Sequence, residues 1–217
     1  MKLQFKHQKF QADAAKAVVD VFAGQPYLTP TYMMDRGLED GEQQAIATMD
    51  DFAGWRNERI VPELSDKLIL EHLQKVQRAN QIKPSDKLEG RYNLTIEMET
   101  GVGKTYTYIK AMYELNKRYG WSKFIIVVPS VAIREGVYKS LQTTQEHFAG
   151  EYNKKIRFFI YNSDRLTEVD RFASDSAINV MIINMQAFNS SKNQRIIDKK
   201  LDTFRSRKPI DIIAKTN

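Results

Sequence analysis

The chain has no cysteine, only three histidines and no apolar run approaching the length of a membrane span. Without cysteine there are no disulfides, no thiolate metal sites and no cysteine nucleophile, a composition that suits a reducing cytoplasm. His7, His72 and His147 are far apart in sequence and share no ligand spacing, which argues against a histidine metal cage. A transmembrane helix needs about 20 mostly apolar residues, and the N-terminal MKLQFKHQKF lacks the apolar core of a signal peptide. A cytoplasmic location is therefore expected. No serine stands in a Gly-x-Ser-x-Gly setting, and no repeat or low-complexity tract is present. Asp50, Asp51 and Asp164 read as surface or capping residues rather than catalytic acids.

What is present is a globular composition. Of 217 residues, 42% are hydrophobic and 28% charged, enough for one large domain or a domain with an accessory piece. A net charge of +6 is compatible with a nucleic-acid partner without requiring one.

The most informative stretch is Thr100-Gly101-Val102-Gly103-Lys104-Thr105. Before it, Tyr92–Met98 alternates apolar and polar residues and predicts a strand with Leu94, Ile96 and Met98 on one face. After it, Tyr108, Ile109, Met112, Tyr113 and Asn116 recur at helical spacing from Lys104 to Tyr119, and Gly120 can close the helix. Glycines between a strand and a helix let backbone N–H groups wrap a phosphate at the positive helix end. Lys104 then neutralises the β- and γ-phosphates of a nucleoside triphosphate, and the Thr105 hydroxyl completes the shell of its Mg²⁺. Met98 stands where the general phosphate-loop pattern has glycine. The tighter Thr-Gly-x-Gly-Lys-Thr form of helicase-type ATPases fits without a mismatch.

Along the chain, a helix is predicted from Gln11 to Phe22, a short one from Glu42 to Phe52, and a stronger one after Pro62 carrying Leu64, Leu68, His72, Leu73 and Val76. Beyond the phosphate loop, strands are predicted at Lys123–Val128, Ile156–Tyr161 and Ile178–Asn184, with a helix at Val131–Phe148 turning Ile133, Val137 and Leu141 inward. A polar connection precedes the last strand. Lys192–Phe204 reads as a basic helix, and Pro209–Ala214 as a strand or helix. This alternation predicts an α/β fold with a parallel sheet flanked by helices. Residues 1–23 then form an adenine-recognition segment, 24–90 a helical insertion, and 91–217 the nucleotide-binding core.

Other residues join the loop. Gln11 opens the first helix, and its amide offers the donor and acceptor pair that matches an adenine edge. Gln8 competes for that role, and Phe5 or Phe10 could stack on the base. Pro129, Ser130 and Arg134 join the second predicted strand to its helix, and Asn184 and Gln186 follow the last strand. In open parallel sheets ligands gather at these strand ends, where such groups suit a nucleic-acid backbone. Lys192, Arg195, Lys199, Lys200, Arg205, Arg207 and Lys208 form a basic run whose commoner meaning is a solvated face.

Together HQKFQADAAKAVVDVFAG (7–24), METGVGKTYTY (98–108), VVPSVAIREGV (127–137) and INMQAFN (183–189) resemble the start of the restriction (Res) subunit of type III restriction-modification enzymes, within helicase superfamily two. The resemblance implies a RecA-like motor fold and an ATP-dependent DNA translocase or switch coupled to an endonuclease, with ATP and Mg²⁺ as cofactors. It implies double-stranded DNA and a methyltransferase (Mod) subunit as partners. It places Gln11 on adenine, Thr100, Gly101, Val102, Gly103, Lys104, Thr105 and Tyr106 on the triphosphate, and Pro129, Ser130, Arg134 and Asn184 along DNA. Lys104 and Thr105 would act in catalysis. The family's acidic ATPase motif, second motor domain and nuclease domain are not in this sequence, so a truncated first motor domain with poor hydrolysis of its own and some tendency to self-associate is expected. The competing readings are the motor domain of another DNA helicase or repair translocase, and a non-catalytic DNA- or partner-binding module.

Overall fold

The computed structural model of the protein describes residues 5–35, 52–189 and 195–216. Helix α1 (Lys9–Val21) buries Ala15, Val19 and Val21. A hairpin of β1 (Thr31–Asp35) and β2 (Phe52–Arg56) follows, paired antiparallel with Tyr32 opposite Trp55. Helix α2 (Asp66–Ala79) starts where the Ser65 side chain accepts from the Leu68 N–H, and it buries Ile69 against α1. Residues 24–90 therefore contain a hairpin as well as the expected helix. Of the helix predicted at Glu42–Phe52, residues 42–51 lie outside the described residues, and Phe52 opens β2 instead.

The remaining elements alternate: α3 (Lys104–Tyr119), β3 (Lys123–Val128), α4 (Val131–Tyr152), β4 (Arg157–Ile160), α5 (Thr167–Ser174), β5 (Asn179–Asn184), a single turn α6 (Gln186–Asn189), 3-10 turns at Ile196–Asp198 and Asp202–Phe204, and α7 (Pro209–Ala214). The sheet is parallel, in the order β3-β5-β4. Its centre is apolar on both faces, as a doubly covered parallel strand must be: Val180 and Ile182 are fully buried on the side of α3 and α4, Met181 and Ile183 nearly so on the side of α5 and α7. Each such side chain contributes roughly 1.5–3 kcal/mol by leaving water. Helix α3 ends at Gly120 with φ +84°, where a Cβ would sit 1.9 Å from the Leu28 carbonyl oxygen, so only glycine fits.

Four sequence expectations need correction. Tyr92–Met98 does not form a strand: Asn93 makes one isolated bridge to Glu89, and no described strand lies beside 94–98 to complete a ladder. Leu94 still packs on the α1–α2 core, whereas Ile96 is exposed. The polar connection after β4 hides α5, whose Val169, Phe172 and Ala173 are buried. Ile133 points outward, about half exposed, although Val137 and Leu141 turn inward as expected. Residues 195–204 form two 3-10 turns instead of a basic helix, because the chain reverses at Arg205 and Ser206, both in left-handed conformation, to bridge Leu201 to Arg207.

Candidate functional site

The phosphate loop takes its shape from glycine. Gly101 (φ +84°) and Gly103 (φ +88°) adopt left-handed conformations that other residues reach only under strain, and α3 begins immediately after them. The first-turn amides of α3, from Lys104 onward, have no acceptors inside the helix and face the loop with its positive dipole end. A Cβ on Gly101 would meet nothing within 4 Å, so the backbone there borders open space. Lys104 is exposed, and its Nζ donates to the Met98 carbonyl at 3.0 Å. The loop thus offers donors and one cation, the chemistry of a polyphosphate seat.

Gln11 reaches this loop across 91 residues of sequence. Its Nε2 donates to the Val102 carbonyl at 2.8 Å, and a Cβ on Gly103 would come within 2.5 Å of that nitrogen. Next to it, Tyr106 carries an aromatic group: the Phe5 ring stacks on Tyr106 with centroids 5.9 Å apart, and the Tyr106 hydroxyl meets His147 Nε2 at 2.8 Å. Burial, then the Glu151 carboxylate, raise the Tyr106 hydroxyl above its ordinary range. His147 is held below its ordinary range chiefly by burial, with Glu151 opposing and His7 and Lys110 adding to the fall. The fold brings the His7 and His147 rings to 5.6 Å although sequence spacing gave no sign of it. Phe5 and Tyr106 are both named from the sequence; His147 sits on α4, and its contact depends on helix packing alone.

The second group of predicted residues lies at the strand ends. The register sets Val128 opposite Asn184, and the Met185 N–H donates to the Val128 carbonyl at 2.9 Å, so Pro129, Ser130 and Asn184 are brought side by side. Ser130 caps α4 by accepting from the Ile133 N–H at 3.3 Å. Arg134 donates through Nε and Nη2 to Glu135 on its own helix. The Asn184 Oδ1 is buried without a hydrogen-bond partner among the described residues. Part of the basic run is not a solvated face: Arg207 is buried, donating to both oxygens of Asp170 at 2.8 and 3.0 Å and lying over the Phe204 ring. No cluster of three acidic or histidine side chains that could hold a metal occurs among the described residues, and no described helix is long and apolar enough to cross a membrane.

With this geometry in place, the similarity to known proteins is specific. Residues 56–210, well over half of the chain, match the family described as "Type III restriction enzyme, res subunit". The chain belongs to that family. It is 30% identical over 171 residues to the Res subunit of the type III restriction-modification enzyme EcoP15I from Escherichia coli, covering 70% of this chain and 18% of that protein. It is 36% identical over 106 residues to the EcoPI Res subunit of Escherichia phage P1, covering 47% of this chain and 11% of that protein. Similarity to the StyLTI Res subunit of Salmonella typhimurium is 33% over 128 residues, or 51% of this chain and 13% of that one. The chain thus spans less than a fifth of each of these relatives, and it has the helicase-like α/β core of a Res subunit.

Proposed function

We propose that the chain forms the ATP-binding part of the first motor domain of a type III restriction subunit, an ATP-dependent DNA translocase or switch coupled to DNA cleavage. The observation that carries this reading is the glycine loop at the start of α3 with Gln11 fastened to it. Gln11 selects adenine, and Thr100 to Tyr106 hold the triphosphate. Lys104 leaves the Met98 carbonyl to pair with phosphate, and its charge stabilises the transferring phosphoryl group. The Thr105 hydroxyl would supply one ligand to Mg²⁺, which when bound would neutralise charge on the triphosphate. This reading assigns no acidic group to the metal or to the attacking water, so hydrolysis by these 217 residues alone is expected to be slow.

Pro129, Ser130, Arg134 and Asn184 run along the backbone of double-stranded DNA, with Arg134 exchanging Glu135 for phosphate. The family relationship further supports a cytoplasmic protein acting with a methyltransferase subunit that recognises the site. Nucleotide and DNA sites in one motor lobe are expected to be linked, and linkage is reciprocal. The test is a duplex-DNA binding isotherm of the chain with and without ATP·Mg²⁺, repeated with Lys104→Ala. DNA affinity that shifts with ATP in the wild type and not in the variant supports the reading. Absence of DNA binding at low salt refutes it.

A further inference from the structure

A polar cavity lies apart from the phosphate loop, where β4 and β5 end. It has a volume of about 200 Å³, and its polar lining is Tyr161, Ser163, Gln186 and Arg195, with Ala187, Ile196 and Ile197 as its apolar part. Tyr161 directly follows β4. Its hydroxyl is buried without a hydrogen-bond partner among the described residues, and burial, then the Asp198 charge, push it up to about 12. It therefore stays protonated as a donor at neutral pH. Buried hydroxyls in folded proteins are nearly always paired, so an orphan on a residue that lines a cavity marks a place where a bound group can complete it.

The donor set indicates which group. Tyr161, Ser163 and Gln186 can each donate a hydrogen bond, and Arg195 adds a guanidinium. Arg195 Nε lies 3.2 Å from the Asp198 carboxylate, which offsets part of its charge. The cavity therefore suits an acceptor-rich group of low charge rather than a multiply charged one. A phosphodiester has that character, with a single negative charge and only acceptors.

Its position agrees. The sheet order β3-β5-β4 puts the Pro129–Ser130 turn, Asn184 and Tyr161 at three successive strand ends. Two strand spacings make about 10 Å, which a nucleic-acid strand rising about 3.4 Å per nucleotide covers in about three nucleotides. We infer that this cavity seats a backbone phosphodiester of the same DNA strand that passes the β3 and β5 ends. The inference rests on the nucleic-acid reading above and extends its path to β4.

The test is anisotropy of a labelled DNA duplex against the chain over a range of salt, comparing wild type, Tyr161→Phe, Arg195→Gln and Arg134→Ala. Tyr161→Phe preserves the ring, and thermal melts of every variant check the fold. Each cavity substitution is expected to weaken binding about three- to tenfold. Arg195→Gln should also make the slope of log affinity against log salt shallower by about 1, whereas Tyr161→Phe leaves it unchanged. Unaltered binding by Tyr161→Phe and Arg195→Gln, with Arg134→Ala still weakened, overturns the seat and leaves the DNA face standing. No DNA binding by the wild type overturns both. If Arg195→Gln fails to fold, Tyr161→Phe decides. Calorimetric binding of free inorganic phosphate that disappears in Tyr161→Phe, with DNA affinity unmoved, reassigns the cavity to a free anion and equally overturns the inference.

Discussion

Gln11 Nε2 lies 2.8 Å from the Val102 carbonyl, so the first helix is tied directly to the phosphate loop. The same nitrogen occupies the space a Cβ on Gly103 would need, at 2.5 Å. Gly103→Ala therefore meets two obstacles: a left-handed φ of +88° and the Gln11 amide. The strain exceeds about 1 kcal/mol, and the expected result is at least about tenfold weaker ATP binding with a retained circular-dichroism spectrum.

Gln11→Ala keeps the loop glycine but removes the amide proposed to read the base edge. Its expected effect is selective: affinity for ATP falls toward that for GTP, while GTP affinity stays within about a factor of three. Competition of both nucleotides against a fluorescent analogue measures this. An unchanged ATP-to-GTP ratio would place base selection elsewhere.

The segment before the phosphate loop braces the sheet through Asn57. Its Oδ1 accepts from the Ser122 and Lys123 N–H groups at 2.8 and 2.9 Å, and its Nδ2 donates to the Lys123 carbonyl at 2.9 Å. Both partner residues are buried, so Asn57→Ala leaves backbone donors unmet. Urea unfolding should show a loss of about 2–3 kcal/mol, and Asn57→Asp, which keeps the oxygen that accepts both N–H groups, should recover part of it.

Much of this was readable from local pattern. The glycines of the loop, the stripe of α3 and the apolar runs of β3 and β5 carry their structure within a few residues of themselves. The failures involve partners that sequence does not name. Residues 94–98 alternate like a strand, but a strand exists only beside another. The three apolar positions of α5 are diluted by Glu168, Asp170 and Arg171. Arg207 counts as one more basic residue until Asp170, 37 positions earlier, comes to meet it. The candidate site divides in the same way: Lys104 and Ser130 were legible from motif and capping chemistry, whereas the Tyr106–His147 contact and the β4-end cavity arise from packing between distant helices and strands.

Lys123 gives a pH test of the core. Its ammonium is buried between the Phe172 and Asp175 carbonyls, and burial lowers it from 10.5 to about 8, with Asp175 opposing and Arg157 assisting. The folded value lies below the unfolded one, so between about pH 8 and 10.5 the unfolded chain holds the extra proton. Stability from this group therefore rises with pH across that window, and is lowest and constant below it. The unfolding free energy of wild type minus that of Lys123→Met should climb between those pH values. A flat difference contradicts the assignment.

At the strand ends, Ser130 and Arg134 separate by observable. Ser130 caps α4, so Ser130→Ala should lower stability by about 1 kcal/mol in addition to any loss of DNA affinity. Arg134 pairs with exposed Glu135, so Arg134→Ala should leave the melting temperature nearly unchanged and flatten the salt dependence of DNA binding by about one phosphate contact.

The most direct test of the whole account is calorimetric titration of the chain with ATP·Mg²⁺ beside Lys104→Ala and a GTP control. Saturable binding that prefers ATP and vanishes in the variant is the predicted result. A folded chain that binds neither nucleotide, or that binds ATP equally well without Lys104, contradicts a nucleotide site at this loop.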